Sequence, residues 1–291
     1  MSSSVRTSLA LVAAALLTLG LTGCAPQDEA APPASTPSSA DACTKDQLKT
    51  LKTGTFTVGT DKPAYGPWFS DDDPTNGKGY ESAVAYAVAE KLGFSRSEVT
   101  WTVVPFTNAY APGDKKFDVD INQVSISAAR QKAVDFSSGY YDVAQAIVTT
   151  KGSKIAAAKS IAELKDAKLG AQVGTTSYTA ITDQIQPTAK PAVYDTNDLA
   201  VQALKNGQID GIVVDLPTAF YISAAQLDDG TIVGQLPAGS GKPDQFGLVL
   251  AKGSPLTSCV SQAVDALKSD GTLADLEAQW LAGTDGAPVL S

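Results

Sequence analysis

Two charged residues stand where this sequence could hold a small charged molecule. Arg130 lies within residues 127–132, where Ser127 as an N-cap predicts a short helix. A cation in the first turn opposes the helix dipole, so a bound anion would explain Arg130, whose planar fork can pair both oxygens of a carboxylate. Asp215 follows the apolar run 209–214, and an acid at the carboxyl end of a parallel strand lies where ligand clefts form. A surface arginine and a helix N-cap aspartate are the simpler alternatives.

Two further positions follow predicted strands. The run Gly174-Thr175-Thr176-Ser177 separates a predicted strand from a predicted helix, and backbone N–H groups at a helix N-terminus favour an anion. The same residue types would also make an ordinary N-cap, and both roles can hold at once. Asp61 ends the first predicted strand. It could recognise a cationic or amide group, or it could cap the loop that follows.

Composition excludes several classes of function. The 291 residues include no histidine, which removes Ser-His-Asp and Cys-His nucleophile systems and the commonest metal ligand. The net charge of -9 at pH 7 argues against a nucleic-acid partner, because phosphate backbones require a basic face. The sequence contains no GxxxxGKS or GxxxxGKT motif, so any transport energy must come from another protein. We predict no catalytic residue, no metal and no cofactor.

The N-terminus predicts the compartment. Arg6 precedes an apolar run over residues 9–21 that is too short for a membrane span but suits the core of a signal peptide. The run ends in Leu21-Thr22-Gly23-Cys24, which resembles the lipobox of bacterial lipoproteins. We therefore expect a lipoprotein signal peptide over 1–23, a lipid on Cys24 and a flexible linker over 24–50. An ordinary secretory signal with an incidental cysteine is the alternative.

Two cysteines remain in the part of the chain that would be exported. Cys43 and Cys259 form an even pair, which suggests a disulfide in an oxidising compartment. This bond would join the start of the fold to the C-terminal helices. Two buried free thiols are the alternative.

The rest of the chain alternates between strand and helix patterns. Strands are predicted at residues 55–60, 99–104, 117–121, 144–150, 168–173, 192–194, 209–214 and 246–251. Helices are predicted at residues 80–92, 127–132, 177–184, 198–206, 217–227, 256–268 and 271–281. Such alternation predicts an α/β fold with mostly parallel sheets.

The alternation occurs twice along the chain, which indicates two lobes. We expect residues 51–147 and 251–291 to form the first lobe, and residues 148–250 to form the second. Two segments would cross between the lobes, near 147–151 and near 245–250. They would act as the hinge.

Residues 118–141 carry the most specific pattern in the chain, DVDINQVSISAARQKAVDFSSGYY. Other matching segments are Val58-Gly59-Thr60-Asp61 with Pro67-Trp68-Phe69, Gly79-Tyr80-Glu81, Gly174-Thr175-Thr176, Leu204-Lys205-Asn206-Gly207-Gln208-Ile209-Asp210, Val214-Asp215 and Phe246-Gly247-Leu248. In this order, over about residues 51–281, the segments resemble the family 3 extracellular solute-binding proteins. These are the polar-amino-acid-binding proteins of ABC importers. The resemblance implies their two-lobed type II periplasmic-binding fold.

The resemblance also implies a site for a free amino acid, whose carboxylate and ammonium must both be paired once they are desolvated. Arg130 would bind the carboxylate, with Ser125 and Thr176 adding contacts. Asp215 and the backbone carbonyl of Gln123 would accept hydrogen bonds from the ammonium. Residues expected near the ligand side chain are Asp61, Tyr65, Phe106, Asn122 and Gln123.

Some of these positions have other interpretations. Core packing is the alternative for the aromatic residues Tyr65 and Phe106. Ser125 and Gln123 could instead be ordinary strand residues. For the nearby Trp68, core packing is the preferred interpretation. The family usually carries an acidic residue immediately before the arginine, where this chain has Ala129.

The resemblance predicts a role for the whole chain as well. We expect the substrate-binding component of an ABC importer, a monomer that captures a polar amino acid and delivers it to a permease with its ATPase subunit. It would be extracytoplasmic, anchored to the cell membrane by the N-terminal lipid, and not an enzyme. Two alternatives stay open: a secreted enzyme on the same fold, such as a cyclohexadienyl-type dehydratase, and a ligand sensor for a signalling receptor.

Overall fold

The structure, a computed structural model, describes residues 43–238, 243–283 and 286–291. The predicted signal peptide, the predicted lipid site at Cys24 and the first part of the predicted linker lie outside the described residues. The end of that linker is attached to the fold, because Cys43 is bonded to Cys259. The predicted disulfide is therefore confirmed.

Strands and helices alternate through the described part of the chain. The strands are β1 Phe56–Thr60, β2 Val99–Val103, β3 Val119–Asp120, β4 Val134–Phe136, β5 Tyr141–Val143, β6 Gln145–Thr150, β7 Leu169–Gln172, β8 Ala192–Tyr194, β9 Gly211–Asp215, β10 Gly230–Gln235, β11 Asp244–Phe246 and β12 Val249–Ala251. The α-helices are α1 Tyr80–Lys91, α2 Phe106–Ala109, α3 Thr176–Ala180, α4 Asn197–Lys205, α5 Leu216–Tyr221, α6 Thr257–Ser269 and α7 Thr272–Trp280. Turns of π type, Ile181–Ile185 and Ile222–Gln226, continue α3 and α5.

The first lobe is built on a five-stranded sheet in the order β2-β1-β3-β12-β4. β1 pairs in parallel with β2 and β3, while β12 runs antiparallel between β3 and β4. Phe56 and Val58 of β1 are fully buried in one cluster with residues of α1, α6 and α7. Burying one such side chain stabilises the fold by about 2 kcal/mol. α1 packs into this cluster through Val84 and Val88, and the chain turns away at Gly93, whose φ is 86°.

The second lobe is built on a sheet in the order β10-β6-β9-β7-β8. β7 lies parallel between β8 and β9, and β6 lies antiparallel between β9 and β10. Ile212 and Val213 of β9 are both fully buried, in separate clusters. Because neighbouring residues of a strand point to opposite faces, both faces of this sheet are covered.

An antiparallel ribbon of β5 and β11 lies between the two sheets. The chain crosses from the first sheet to the second between β4 and β6, and it returns between β10 and β12. The predicted two-lobed fold with two crossing segments is therefore confirmed. The first crossing falls earlier than the predicted segment near 147–151, because β6 already lies in the second sheet.

The C-terminal tail returns to the second lobe. Val289 forms a bridge with Gln235 at the end of β10, and Leu290 is buried in a cluster of the second lobe. The N–H of Ile161 donates to the carbonyl of Ser291. These contacts differ from the predicted boundaries, which place residues 251–291 in the first lobe and divide β6 between the lobes.

Two predictions of local structure are wrong. Residues 127–132 form no α-helix but a single 3-10 turn, Arg130–Lys132, because β4 already takes the chain back into the sheet at Val134. The predicted strand 246–251 divides into β11 and β12 around Gly247, where a side chain would meet Ile126. In the part of the chain that the structure describes, no helix is both long and apolar enough to cross a membrane.

Candidate functional site

A cavity lies between the two lobes, where parallel strands of both sheets end. It leaves about 40 Å³ for the centres of water-sized molecules, so the walls of the two lobes lie close together around it. Its lining residues are Asp61, Tyr65, Phe106, Asn122, Gln123, Arg130, Gln172, Thr175, Thr176, Ser177, Asn197, Asp215 and Thr218. Eight of the nine residues predicted to bind a ligand are among them. The ninth, Ser125, lies next to Arg130 and Thr176 instead.

Arg130 is a buried cation between the lobes. Its Nη1 donates to the carbonyl of Ser125 at 2.7 Å, and its Nη2 donates to the carbonyl of Gly174 at 2.9 Å. The guanidinium lies 4.5 Å from the ring centre of Tyr110 and 5.6 Å from that of Phe106. Burial lowers the pKa of Arg130, yet a guanidinium keeps its charge in proteins. Because a guanidinium carries five N–H donors, these two bonds leave others for an anion in the cavity.

The contacts that position Arg130 differ from the helix position that the sequence predicted. The hydroxyl of Ser127 accepts a hydrogen bond from the N–H of Arg130 at 3.2 Å, as an N-cap does. However, one 3-10 turn has little dipole for a cation to oppose. Contacts with two carbonyls and two aromatic rings position this side chain instead.

Thr176 of the second lobe lies close to Ser125 and Arg130 of the first lobe. It is the first residue of α3, and Thr175 before it is the N-cap, since its hydroxyl accepts from the N–H of Tyr178 at 3.2 Å. The hydroxyl of Thr176 is thereby free of the capping role. It lies 3.1 Å from the hydroxyl of Ser125 in the first lobe.

Asp215 is the acid of the second lobe. It ends β9, and its Oδ1 accepts a hydrogen bond from Gln145 Nε2 at 2.6 Å. Burial raises the pKa of Asp215 to about 7, although the hydrogen bond from Gln145 and the charge of Arg130 act in the opposite direction. An ammonium bound beside Asp215 would stabilise the ionised carboxylate.

Asp61 is the acid of the first lobe. It follows β1, and its carboxylate accepts from the N–H of Lys62 at 2.7 Å and from the N–H of Phe106 at 3.2 Å. Burial raises the pKa of Asp61. The ammonium of Lys62 lies 3.5 Å from Asp72, outside the cavity lining. Both acids thus lie at the carboxyl ends of parallel strands, as the sequence indicated.

The remaining predicted residues divide between the cavity and the core. Tyr65, Phe106, Asn122 and Gln123 line the cavity. Trp68 does not; it is fully buried, and its indole N–H donates to the hydroxyl of Thr218 at 2.9 Å. The preferred interpretation of Trp68 as core therefore agrees with its burial.

Several residues of the site were not predicted. Gln172 ends β7, Asn197 begins α4, and Thr218 lies in the first turn of α5. Tyr110 donates from its hydroxyl to the carbonyl of Gly174 at 3.1 Å, across the cleft. Polar residues at strand ends and helix starts were a usable signal for the first three. Tyr110 follows the short helix α2, which has no signal of its own.

The chain belongs to a known protein family. The model for bacterial extracellular solute-binding proteins, family 3, matches residues 56–283. The match includes every strand and helix of both lobes. The chain is therefore a member of the bacterial extracellular solute-binding proteins, family 3.

Named relatives are amino-acid-binding proteins. The L-cystine-binding protein TcyJ of Escherichia coli K12 is 29% identical over 234 residues, which cover 80% of this chain and 84% of that protein. An ancestral arginine-binding protein bound to arginine has a TM-score of 0.64 and 31% identity, over 79% of this chain and 99% of that one. An ancestral amino acid-binding protein, described as a precursor of cyclohexadienyl dehydratase, has a TM-score of 0.63 and 31% identity, over 78% and 95%.

Proposed function

We propose that this protein captures a free amino acid in the cleft between its lobes. The observation that carries the proposal is the placing of Arg130 from the first lobe, and of Asp215 and Thr176 from the second, around one cavity. A carboxylate can pair with Arg130 while the ammonium of the same molecule pairs with Asp215. A ligand held by both lobes stabilises their closed arrangement by its contacts with each.

We further propose a cationic side chain, such as that of arginine or lysine, for the captured amino acid. Arg130 and Asp215 would be used by the carboxylate and the ammonium, which leaves the carboxylate of Asp61 in the cavity lining. Lys62 does not neutralise this acid, since its ammonium lies beside Asp72. The rings of Tyr65 and Phe106 line the same cavity and suit the methylenes and charge of such a side chain.

Calorimetric titration of the full-length protein with arginine, lysine, glutamine and cystine tests both statements. Arginine or lysine should bind, and Arg130→Ala should weaken binding about 100-fold or more, because the ligand carboxylate would lose its buried partner. Asp61→Asn should weaken arginine binding about tenfold and leave glutamine within about twofold. Asp71→Asn, which removes the same charge outside the cavity lining and leaves the pair of Lys62 and Asp72 intact, is the matched control.

Two results would overturn these proposals separately. If none of the amino acids binds, the amino-acid assignment fails while the fold stands. If glutamine or cystine binds and arginine and lysine do not, the cationic class fails while amino-acid capture stands.

The role in transport is also a proposal. We infer that the closed form is delivered to an ABC permease with its ATPase subunit, and that a lipid on Cys24 anchors the protein outside the cytoplasm. The family membership supports the transport role, and the lipobox-like sequence supports the anchor. Measuring ligand uptake after deletion of the gene tests the role in transport, which predicts a loss of uptake. Release of a Cys24→Ala variant from the membrane fraction tests the lipid anchor.

A catalytic role is the second candidate. The structural likeness to a precursor of cyclohexadienyl dehydratase favours it, as does a cleft acid, Asp215, whose pKa is raised to about 7 and so suits proton transfer. Incubation of the full-length protein with cyclohexadienyl compounds, followed by chromatography, tests it. Turnover that is lost in Asp215→Asn would establish an enzyme, and unchanged substrate would leave the binding role.

A further inference from the structure

A buried acid lies behind the cavity and has no role in the function proposed so far. Glu81 is in the first turn of α1 and is fully buried. It is not part of the cavity lining, but its neighbour Gln123 is. Burying a carboxyl group is costly unless hydrogen bonds or charges compensate it, so the partners of Glu81 indicate its role.

The partners of Glu81 are all hydrogen-bond donors. The backbone N–H of Gln123 donates to Oε1 at 2.7 Å, and the side-chain amide of Gln123 donates to Oε2. The hydroxyl of Tyr140 also donates to Oε1. An ionised carboxylate accepts at all of these positions, whereas a protonated carboxyl must donate at one of them. The arrangement therefore suits the ionised form.

Gln123 needs to be held in place. Its φ is +48°, in the left-handed region that residues other than glycine rarely adopt. Such a conformation persists when the surroundings fix it, and this happens most often at functional sites. The two bonds to Glu81 fix both the backbone and the side chain of Gln123.

We propose that Glu81 is a positioning residue, which holds Gln123 in its left-handed conformation so that Gln123 is presented to the ligand. This inference rests on the proposed amino-acid-binding function. Affinity should fall whenever Glu81 cannot accept both bonds from Gln123, even though Glu81 itself does not touch the ligand.

The surroundings of Glu81 add a dependence on pH. The titratable groups that face it are Asp120 of β3, Asp215 of β9, Tyr140 and its own neighbour Tyr80. Burial raises the pKa of Glu81 to about 7, with the charge of Asp215 acting in the same direction and the hydrogen bonds acting against it. Below pH 7 the protonated carboxyl of Glu81 would itself be a donor facing the donors of Gln123 and Tyr140. It would then no longer accept both bonds from Gln123.

A double-mutant cycle on the full-length protein tests the proposal, with arginine as the probe ligand. At pH 8, Glu81→Gln should weaken binding about tenfold, because the strain at Gln123 is no longer countered. Glycine adopts positive φ without strain, so in a Gln123→Gly background the same Glu81→Gln change should alter the dissociation constant by less than about twofold. Tyr140→Phe removes the remaining bond to Glu81 and is the control, with affinity within about twofold of wild type.

A second measurement needs no change at Glu81. Between pH 8 and pH 5.5 the affinity of the wild type should fall more steeply than that of Gln123→Gly, which keeps only the contribution of Asp215. Equal slopes would overturn the proposal, as would an effect of Glu81→Gln that is the same size in both backgrounds. If the wild type itself binds none of the amino acids tested, the proposed function has failed instead.

Discussion

At the scale of single residues, the cleft holds one cation and two acids, and each acid comes from a different lobe. Arg130 is 8% exposed, while Asp61 and Asp215 are half-buried and belong to different lobes. Each acid has a pKa above its ordinary value because burial disfavours its charge. A ligand with positive groups would relieve this cost, which makes the acids respond to binding as well as to pH.

We predict that ligand binding releases protons below neutral pH. The pKa of Asp215 is raised to about 7 without ligand, and a bound ammonium should lower it, so a proton leaves when the ligand binds. The dissociation constant should therefore rise as pH falls from 8 to 5.5. Calorimetry at pH 6.5 in two buffers of different ionisation enthalpy measures the protons released. The same titrations at pH 8.5 should show almost none, and a dissociation constant that is constant over this range would contradict the prediction.

The ligand-free protein should show the matching trend in stability. Because the folded-state pKa of Asp215 is raised from 3.8, the protonated form favours folding. This contribution is fully present below pH 3.8 and is lost as pH rises towards 7. The pKa of Glu81 is also raised to about 7, so this residue contributes to stability in the same direction. The melting temperature without ligand, measured by differential scanning calorimetry, should accordingly be higher at pH 5.5 than at pH 8, and the reverse order would contradict the prediction.

The sequence indicated the charged residues of the site better than their neighbours. Arg130, Asp61 and Asp215 could be found because charge at a strand end or in a turn is unusual in an otherwise apolar setting. Glu81 could not be found in this way, since its position within α1 looks like an ordinary first-turn acid of a helix. Its burial and its bonds to Gln123 depend on the packing of α1 against the segment after β3.

At the scale of elements, the site is a property of strand ends. β1 ends before Asp61, β3 ends before Asn122 and Gln123, β7 ends at Gln172 and β9 ends at Asp215. The first two strands belong to one sheet and the last two to the other. Two sheets whose carboxyl ends face each other thus form a cleft with polar groups on both sides.

We predict that the turn after β7 tolerates only glycine at its tightest point. Gly174 has a φ of +72°, and a Cβ there would lie 2.3 Å from the hydroxyl oxygen of Tyr110. Gly174→Ala should weaken ligand binding about tenfold, because the added methyl group displaces Tyr110. The strain of the positive φ, about 1–2 kcal/mol, should lower stability instead. Titration calorimetry with the bound amino acid measures the change in affinity.

Gly207→Ala is the matched control for this substitution. Gly207 has a similar φ of +68°, but nothing lies within 4 Å of the added Cβ. It should lose similar stability and keep its affinity. Equal affinities for the two variants would show that Tyr110 and the turn do not shape the binding site.

The elements that the sequence did not reveal are those with little periodicity. α2, β4 and β5 have three or four residues each, and β10 contains Gly230 and Gly234 with a bulge between Ile232 and Gly234. The long helices and the apolar strands of both sheets were predictable, because burial imposes a regular pattern on them. The lobe boundaries were harder to predict, because the position at which the chain crosses between lobes depends on pairing between strands that are distant in sequence.

At the scale of the whole molecule, the lobes are in direct contact across the cleft. Arg130 and Tyr110 both donate to the carbonyl of Gly174, and Trp68 donates to Thr218. These bonds join groups of the first lobe directly to groups of the second. They describe the closed arrangement that a bound amino acid would stabilise.

We predict that the disulfide stabilises the fold without shaping the cleft. Cys43 and Cys259 are 216 residues apart in sequence, so removing their bond should cost about 5 kcal/mol in the chain-entropy model. The first turn of α1 contacts Gln123 of the cavity lining, and its last residue lies beside the disulfide. The twelve residues of α1 span about 18 Å. The Cys43→Ser, Cys259→Ser double variant should melt at a much lower temperature and bind its ligand within about twofold of the wild type. Parallel losses of stability and affinity, measured by calorimetry well below the melting point, would contradict this separation.

The return of the C-terminal tail has a practical consequence. Cys43 fixes the start of the described chain to the first lobe, while Val289 and Leu290 fix its end to the second. The two ends therefore belong to different bodies, and their separation changes whenever the lobes move. Fluorescent proteins fused at the two ends would convert closure of the lobes on a bound solute into a change in energy transfer, so the chain has the arrangement that the scaffold of an optical sensor requires.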